Sequence, residues 1–389
     1  MQIWEIIFFT GFFILAYNYF GYAIIAKLLL LITRPSQRSN EKYTPAVSFI
    51  VAAYNEEDFI EQKIRNSLEL DYPAELIEFI FITDGSTDQT PNIISSFPDI
   101  KLLHSRERKG KSAAINRAVE IAKNEILIFS DANTILNKEA IKKIAQHYYE
   151  PQVGGVAGEK KVISSISDTD ALSENEGLYW KYESVLKKID SDFYSVVGAA
   201  GELFSVRKEL YSPIQANIIL DDFVISLKIA GKGKRIIYEP GAFASEEPSF
   251  SIKEEQKRKI RIAAGGFQAI VLLRPLLRFW KNPKLFFLYF SHRVLRWTLS
   301  PLSLLLVFVA NVALVLKNSH FYYSIILIFQ LGFYASALLA YFSPFALKKF
   351  KLIKIPYYFL FMNFAVYLGF LRFLRGSQSA IWEKAKRAQ

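Results

Sequence analysis

The chain has 389 residues, of which 51% are hydrophobic and 15% aromatic, and its formal net charge at pH 7 is +11. This apolar content is high for a purely soluble protein, so part of the chain is expected to lie in a lipid bilayer. The sequence has no cysteine. Disulfide bonds, thiolate metal sites and cysteine nucleophiles are therefore excluded.

The first apolar run covers residues 3–31 and contains two charged side chains, Glu5 and Lys27. It is long enough to cross a hydrocarbon core of about 30 Å. No small-residue cleavage site follows it, which favours a retained anchor over a signal peptide. Residues 1–36 are therefore predicted to form an N-terminal transmembrane anchor.

Residues 37–265 have the composition of a soluble domain in which short apolar runs alternate with segments of helical spacing. The predicted strands cover residues 47–53, 79–83, 100–103 and 126–130, and the predicted helices cover residues 56–68, 88–97 and 111–123. This order predicts an α/β fold, with a mainly parallel sheet and helices on both faces. Ligands of such sheets bind at the carboxyl ends of the strands, so the residues after each strand are the candidates for a site.

Residues 266–297 interleave basic side chains with leucine, phenylalanine and tryptophan, which predicts an amphipathic helix at a membrane surface. Apolar runs return at residues 299–316, 321–345 and 355–371. They predict three further transmembrane helices, followed by a basic tail, within residues 298–389. Lysine and arginine cluster beside the apolar runs, so the net positive charge indicates membrane topology and no nucleic-acid binding.

The positions of the basic residues also predict the orientation. Lys27 lies near the end of the first run, and Arg34, Arg38 and Lys42 follow it. Together they place residues 37–265 in the cytosol of a multi-pass protein of the cell membrane. Three later crossings would place the basic tail outside, against the same rule. The number of crossings therefore stays open, because one late segment could be re-entrant or interfacial. The tail residues are Arg372, Arg375, Lys384, Lys386 and Arg387.

Two segments carry a specific resemblance: Val-Ser-Phe-Ile-Val-Ala-Ala-Tyr-Asn-Glu at 47–56 and Ile-Thr-Asp-Gly-Ser-Thr-Asp at 82–88. They resemble the opening of the membrane-bound family 2 inverting glycosyltransferases, which include cellulose, hyaluronan and poly-N-acetylglucosamine synthases. The resemblance covers roughly residues 44–265 and implies the GT-A fold. It also implies transfer of a sugar from a nucleotide-diphosphate donor, with UDP favoured, to a polysaccharide or lipid-linked acceptor for cell-surface glycan synthesis.

The resemblance implies a set of donor contacts. Tyr54, Glu56 and Asp84 would line the nucleotide pocket, with the tyrosine against the base. Lys111 and Asn116, in a segment predicted to begin a helix, would lie near the diphosphate. The N-terminus of a helix suits this role because its free N–H groups and partial positive charge attract phosphate.

Asp131-Ala132-Asn133 resembles the Asp-x-Asp metal motif of the family. Asp131 and Asn133 would thus hold Mg²⁺ or Mn²⁺, with Asp131 also at the nucleotide sugar. Transfer needs a hard cation because the leaving diphosphate gains negative charge, and oxygen ligands suit such ions. Asn133 keeps an oxygen ligand in place of the second aspartate but loses its charge.

Two later segments resemble the acceptor side of the family's site. The small-residue segment 197–207 includes Gly201, where a backbone could approach a sugar closely, and Glu202, which could bond an acceptor hydroxyl. Asp221 and Asp222 match the acidic pair that opens a helix. Asp222 is the predicted general base for the acceptor hydroxyl, and Asp221 is expected to raise its pKa by like-charge repulsion.

Residues 256–266 lie where processive relatives carry Gln-x-x-Arg-Trp. One register keeps Gln256 and puts Lys259 at the arginine position. The other, which we favour, puts Arg258 and Arg261 at the glutamine and arginine positions and Ile262 at the tryptophan position. Arg258 and Arg261 could neutralise the diphosphate in either case. The missing tryptophan, which would stack on the acceptor sugar, favours single addition over processive synthesis.

Two classes of function remain. The first is a glycosyltransferase, either processive or single-addition, with a nucleotide-sugar donor, a glycan acceptor and membrane lipid as partners. The second is a non-catalytic nucleotide-sugar-binding subunit of a polysaccharide export complex. The retained carboxylates Asp84, Asp131 and Asp222 favour the enzyme. A homo-oligomer or an export complex is possible in either class.

Overall fold

The computed structural model describes residues 3–33, 39–162, 171–247, 251–343 and 350–376. Several basic residues that predict the topology lie outside these ranges. They are Arg34, Arg38, Lys384, Lys386 and Arg387.

The described chain starts with two helices, α1 (Ile3–Ala16) and α2 (Tyr22–Thr33), joined by a π-helical turn at Tyr17–Gly21. The combined span is long and apolar enough to cross a membrane, as the first apolar run predicts. Large apolar side chains on it stay exposed, including Phe13 at 69%. Such a surface is costly in water and suits contact with lipid.

Within the described residues, eight strands form one sheet. They are β1 (Val47–Ala53), β2 (Ile77–Asp84), β3 (Ile100–Ser105), β4 (Ile126–Asp131), β5 (Ile135–Leu136), β6 (Val153–Val162), β7 (Leu203–Arg207) and β8 (Arg235–Glu246). Their order across the sheet is β3-β2-β1-β4-β7-β6-β8-β5. The four predicted strands are confirmed, although β2 begins two residues earlier and β3 ends two residues later than predicted. At their carboxyl ends, β2 and β4 each continue for one more residue and end on a candidate site residue, Asp84 and Asp131.

The sheet is mixed in direction. Strands β3, β2, β1 and β4 run parallel to one another, whereas β7 runs antiparallel to both β4 and β6. Strand β8 is parallel to β6, and β5 is antiparallel to β8. The antiparallel connections were not predicted, because β6 contains three glycines and two lysines, which carry little strand signal.

Six helices of the described ranges belong to this α/β part. They are α3 (Ile60–Leu68), α4 (Thr90–Ser95), α5 (Lys111–Ile121), α6 (Ala140–Ala145), α7 (Ala171–Phe193) and α8 (Asp221–Gly231). Strand β1 shows how they cover both faces, because its side chains alternate between two cores. Ile50 belongs to the core that includes Ala118 of α5, and Phe49 belongs to the core that includes Ile64 of α3. The predicted helices are confirmed with shorter bounds, and α7 was not predicted.

The segment predicted as one amphipathic helix is divided in the structure. Helix α9 (Ile252–Leu272) crosses the predicted boundary at 265/266, and Ser251 caps it by accepting a bond from the Glu254 N–H at 3.3 Å. A 3₁₀ turn, α10 (Pro283–Tyr289), a π-helical turn and the short α11 (Leu295–Trp297) follow. Pro275 and Pro283 prevent one continuous helix. The placement of this segment at a membrane surface stays a prediction.

Three long apolar helices complete the described chain: α12 (Leu299–Leu316), α13 (Phe321–Phe342) and α14 (Lys351–Leu374). Each contains a span suited to cross a membrane. Helix α14 packs closely on α9, because a Cβ placed at Gly369 would lie 2.5 Å from the Ala263 Cβ and 2.9 Å from the Ala264 N. An apolar helix therefore supports the helix that carries Arg258 and Arg261.

This close packing predicts that Gly369→Ala destabilises the protein. The added methyl group overlaps α9, and such overpacking costs about 1–3 kcal/mol. Gly332→Ala in α13 is the matched control, because its Cβ would meet no atom within 4 Å. We expect a lower unfolding temperature for the detergent-purified Gly369→Ala protein alone. Equal unfolding temperatures for the two variants would contradict the packing described here.

Candidate active site

A cavity of about 1230 Å³ opens at the carboxyl ends of β1 and β4. It extends past the N-terminus of α8 to α9 and α14. Most predicted site residues line it: Glu56, Lys111, Asp131, Asn133, Gly201, Glu202, Asp221, Asp222, Arg258 and Arg261. The strand-end rule thus brings together residues that lie far apart in the sequence.

Lys111 and Asp131 form an ion pair in this cavity. The Lys111 Nζ lies 2.6 Å from Asp131 Oδ1, and the side chains are 20% and 22% exposed. Burial favours the neutral amine, but the carboxylates of Asp131, Asp221 and Asp222 hold the pKa of Lys111 above its ordinary value. A cation therefore sits among three carboxylates.

Asp84 fixes the loop that leads to Lys111. The backbone N–H groups of Lys109 and Gly110 donate to its Oδ2 at 2.9 Å and 2.6 Å, and an Arg117 guanidinium nitrogen lies 3.3 Å from Oδ1. Gly110 has φ 94°, which favours glycine at this position. Asp84 is 3% exposed and does not line the cavity. Its contact with the base of a nucleotide therefore stays a prediction.

Two other predicted donor contacts also lie outside the cavity wall. The Tyr54 ring packs against Arg108, whose guanidinium carbon is 3.7 Å from the ring centroid. The structure does not bring Asn116 to the cavity. The Asn116 amide donates to the Ile214 carbonyl at 2.8 Å and accepts from the Tyr211 hydroxyl at 2.6 Å, so it holds a neighbouring loop. A diphosphate contact of Asn116 gains no support from this geometry.

Asp221 and Asp222 begin α8, as predicted. The Phe223 N–H donates to Asp222 Oδ1 at 2.8 Å. Burial raises the pKa of Asp222 to about 8, the Asp221 carboxylate adds to this effect, and Lys111 opposes it. The direction agrees with the prediction, but burial, which the sequence did not reveal, is the larger cause.

Gly201 leaves the space in which Asp222 and Lys111 converge. A Cβ placed at Gly201 would lie 3.3 Å from both Asp222 Oδ2 and Lys111 Nζ.

Close by in the sequence, Glu202 has a different environment. Its Oε1 accepts from the Lys160 Nζ at 2.7 Å and lies 3.4 Å from an Arg258 nitrogen. Burial opposes ionisation, but Lys160 and Arg258 hold the pKa of Glu202 below its ordinary value. Glu202 thus positions Arg258, and a direct bond to an acceptor stays a prediction.

Asp131 and Asn133 offer oxygen ligands for a divalent cation. In the described part of the chain, no group of three or more histidines, aspartates or glutamates is arranged to hold a metal. One carboxylate and one amide suit an ion such as Mg²⁺ that takes its other ligands from phosphate and water. The residues therefore fit a cation that binds together with a diphosphate.

Sequence reasoning missed the part of the cavity built by α7, which contributes Trp180, Glu183 and Lys187. Their spacing places them on one face of a helix, and that spacing was the available signal. It also missed two cavity-lining residues after α10, Arg293 and Trp297. Three more cavity-lining residues that it missed belong to α14: Met362, Ala365 and Val366. The helix that could span a membrane thus lines the same cavity as Asp222.

The comparisons with known proteins agree with this geometry. A family model, glycosyl transferase family 2, matches residues 48–214. The poly-beta-1,6-N-acetyl-D-glucosamine synthase of Staphylococcus epidermidis is 26% identical over 254 residues, which are 64% of this chain and 60% of that protein. The synthase of Staphylococcus aureus strain MSSA476 is 26% identical over 61% of this chain and 58% of its own length. The match therefore spans about three-fifths of these relatives.

A solved mannosyltransferase from Pyrobaculum calidifontis, in complex with GDP-Man and Mn²⁺, has the same fold. Its TM-score is 0.72 at 23% sequence identity, and the match covers 96% of this chain and 99% of that one. The match extends over the mixed sheet, the helices on its faces and the apolar helices at both ends of this chain. Residues 48–214 therefore match the family 2 glycosyltransferases, and the chain has the GT-A fold and resembles the poly-N-acetylglucosamine synthases.

Proposed function

We propose that the protein is a membrane-bound inverting glycosyltransferase that transfers a sugar from a nucleotide-diphosphate donor to a polysaccharide or lipid-linked acceptor. One observation carries this proposal: Asp222, Lys111 and Asp131 meet in one cavity at the strand ends. A candidate base, a cation and an oxygen ligand are the groups that such a transfer needs. A non-catalytic subunit would need only the binding groups.

Asp222 is the proposed base. It takes the proton of the acceptor hydroxyl while that oxygen forms a bond to the anomeric carbon. The bond from this carbon to the diphosphate oxygen breaks on the opposite face, so the configuration inverts. A pKa of about 8 makes Asp222 basic enough to accept the proton near neutral pH.

Lys111 and the N-terminus of α5 are the proposed seat of the diphosphate. The ammonium group and the free N–H groups of the first turn place positive charge where the leaving group gains negative charge. Asp131 and Asn133 would hold Mg²⁺ or Mn²⁺, which supplies further charge stabilisation when bound. Lys111 would then share Asp131 with the cation.

The donor is proposed to be a UDP-sugar, and the names of the Staphylococcus relatives favour an N-acetylglucosaminyl group. GDP-Man in the Pyrobaculum structure makes a GDP-sugar the alternative to test. The four candidate spans support a multi-pass protein of the cell membrane with residues 37–265 in the cytosol, where nucleotide sugars are made. Export partners and a homo-oligomer remain proposals.

Replacing the base tests the mechanism. Asp222→Asn should bind the donor normally but lower the transfer rate by about 10²- to 10⁴-fold, because no group takes the acceptor proton. Asp99→Asn is the control, since Asp99 is exposed and lies outside the cavity. Donor binding is measured by thermal stabilisation and transfer by release of the nucleoside diphosphate. Normal turnover in Asp222→Asn would rule out this base.

The pH profile offers a second test. Only the deprotonated form of Asp222 can act as a base, so kcat/KM should rise with pH and level off above about 8. The rise should disappear in the residual activity of Asp222→Asn. The measurement is kcat/KM from about pH 5 to about pH 10, a range that covers both sides of the expected pKa. A flat wild-type profile would contradict the assignment.

The metal site makes a third prediction. Asn133→Asp restores a second carboxylate, and ligand charge strengthens cation binding. The variant should reach half-maximal activity at a Mn²⁺ or Mg²⁺ concentration about tenfold lower than the wild type. Chelation should abolish transfer by both proteins, and added metal should restore it. Full activity in chelator, or identical metal titrations, would argue against Asp131 and Asn133 as ligands.

A further inference from the structure

Lys187 of α7 is a buried ammonium group in the wall of the cavity. The side chain is 2% exposed, and within the described ranges its Nζ has no hydrogen-bond partner. Its neighbours include the rings of Trp180 and Tyr238, whose centroids lie 5.5 Å and 5.7 Å from Nζ. Burial lowers the pKa of Lys187 from its ordinary value. An unbonded charge in such a place is costly, and an anionic ligand would relieve that cost.

Two other ammonium groups lie around Trp180, but both are paired with carboxylates. Lys160 Nζ is 5.1 Å from the indole centroid and bonds to Glu202 and Glu246. Lys259 Nζ is 5.7 Å from the centroid and 3.1 Å from Glu255. Of these three lysines, Lys187 is therefore the one whose ammonium group has no hydrogen bond to a described protein group. It is the one that can bond to a ligand.

The carboxylates that interact with Lys187 through charge are engaged elsewhere. Glu183 is 3.0 Å from Arg293 and also pairs with Arg296, and Glu202 is paired with Lys160. The third is Glu159, to which the hydroxyls of Ser184 and Tyr238 donate. These pairings keep the glutamates from competing fully for the Lys187 ammonium.

The wall of the same cavity is apolar where α14 forms it, through Met362, Ala365 and Val366. Helix α14 contains a candidate membrane span, so this wall continues into a surface suited to lipid. A free polysaccharide would need hydroxyl-binding groups here, since sugar hydroxyls lose their bonds to water on burial. A hydrocarbon chain would not.

We propose that Lys187 binds the phosphate that joins an acceptor sugar to a lipid, with the hydrocarbon chain along Met362, Ala365 and Val366. The proposal rests on the proposed function, because it assigns the acceptor of the same cavity. The donor diphosphate belongs to Lys111 and the acceptor phosphate to Lys187. This division favours addition to a lipid-linked acceptor over extension of a free polysaccharide.

The test uses the full detergent-purified chain with its donor site filled by UDP or GDP and Mn²⁺. The probe is farnesyl diphosphate, compared with farnesol, inorganic pyrophosphate and phosphatidylglycerol, and the readout is the dissociation constant. Farnesyl diphosphate should bind at least about tenfold more tightly than each of the others, because it alone offers both an isoprenoid chain and a diphosphate. Equal or tighter binding of any comparison compound would overturn the proposal.

Lys187→Met removes the charge and keeps a side chain of similar length. It should weaken the binding of farnesyl diphosphate by about tenfold or more and leave nucleotide binding unchanged. Lys188→Gln is the matched control, because Lys188 is the next residue of α7, is 49% exposed and pairs with Asp192. It should behave as the wild type. Unchanged farnesyl diphosphate binding in Lys187→Met would reject the site.

Stability without ligand separates a ligand role from a structural one. Lys187→Met should unfold at the same or a higher temperature than the wild type, since it removes a buried unbonded charge. A lower unfolding temperature, or failure to fold, would show that the ammonium has a structural role and would overturn the proposal. If neither UDP nor GDP with Mn²⁺ stabilises the wild type, the proposed function itself fails. If the nucleotide binds and farnesyl diphosphate does not, the acceptor assignment alone fails.

Discussion

The ammonium group of Lys111 holds the two sides of the cavity together. It bonds to Asp131 at the end of β4, and it offsets the negative charge of Asp221 and Asp222 at the start of α8. Without it, three carboxylates would share a partly buried space and would resist ionisation together. Asp84 supports this arrangement from behind, because it binds the backbone that leads into α5. The predicted base, diphosphate seat and metal ligands all depend on this one cation.

Helix α9 links that cavity to the apolar helices. Gly369 of α14 lies against Ala263 and Ala264, and a Cβ at Gly266 would lie 2.7 Å from the indole of Trp297. The same helix carries Arg258 and Arg261 into the cavity wall. The run of alanine and glycine therefore allows α14 and Trp297 to pack closely on the helix that brings these basic residues to the cavity. A second link lies deeper, where His292 Nδ1 is 2.6 Å from Asp190 of α7 and Tyr22 of α2 also bonds to Asp190. His292 is buried.

Local pattern was enough to predict part of the structure. Strands β1 to β4 are short, mostly apolar runs followed by polar or turn residues, so their positions and the candidate residues Asp84 and Asp131 could be read from the sequence. The partners of buried charges could not be read in this way. Glu202 pairs with Lys160 across the fold, Asn116 bonds to the loop at Ile214, and Lys187 belongs to a helix with a weak apolar pattern. Each of these depends on tertiary neighbours that are distant in the sequence, and burial, which dominates the pKa of Asp222, depends on them too.

The anomeric configuration of the product tests the central claim most directly. If Asp222 activates the acceptor for a single displacement, an α-linked nucleotide sugar must give a β-linked product, because attack comes from the face opposite the diphosphate. The one-bond carbon–proton coupling constant at the new anomeric centre, measured by NMR on product made by the purified chain, distinguishes the two configurations. A β-linkage is the result that the structure predicts. An α-linkage would contradict a mechanism in which Asp222 acts as the base of one inverting step.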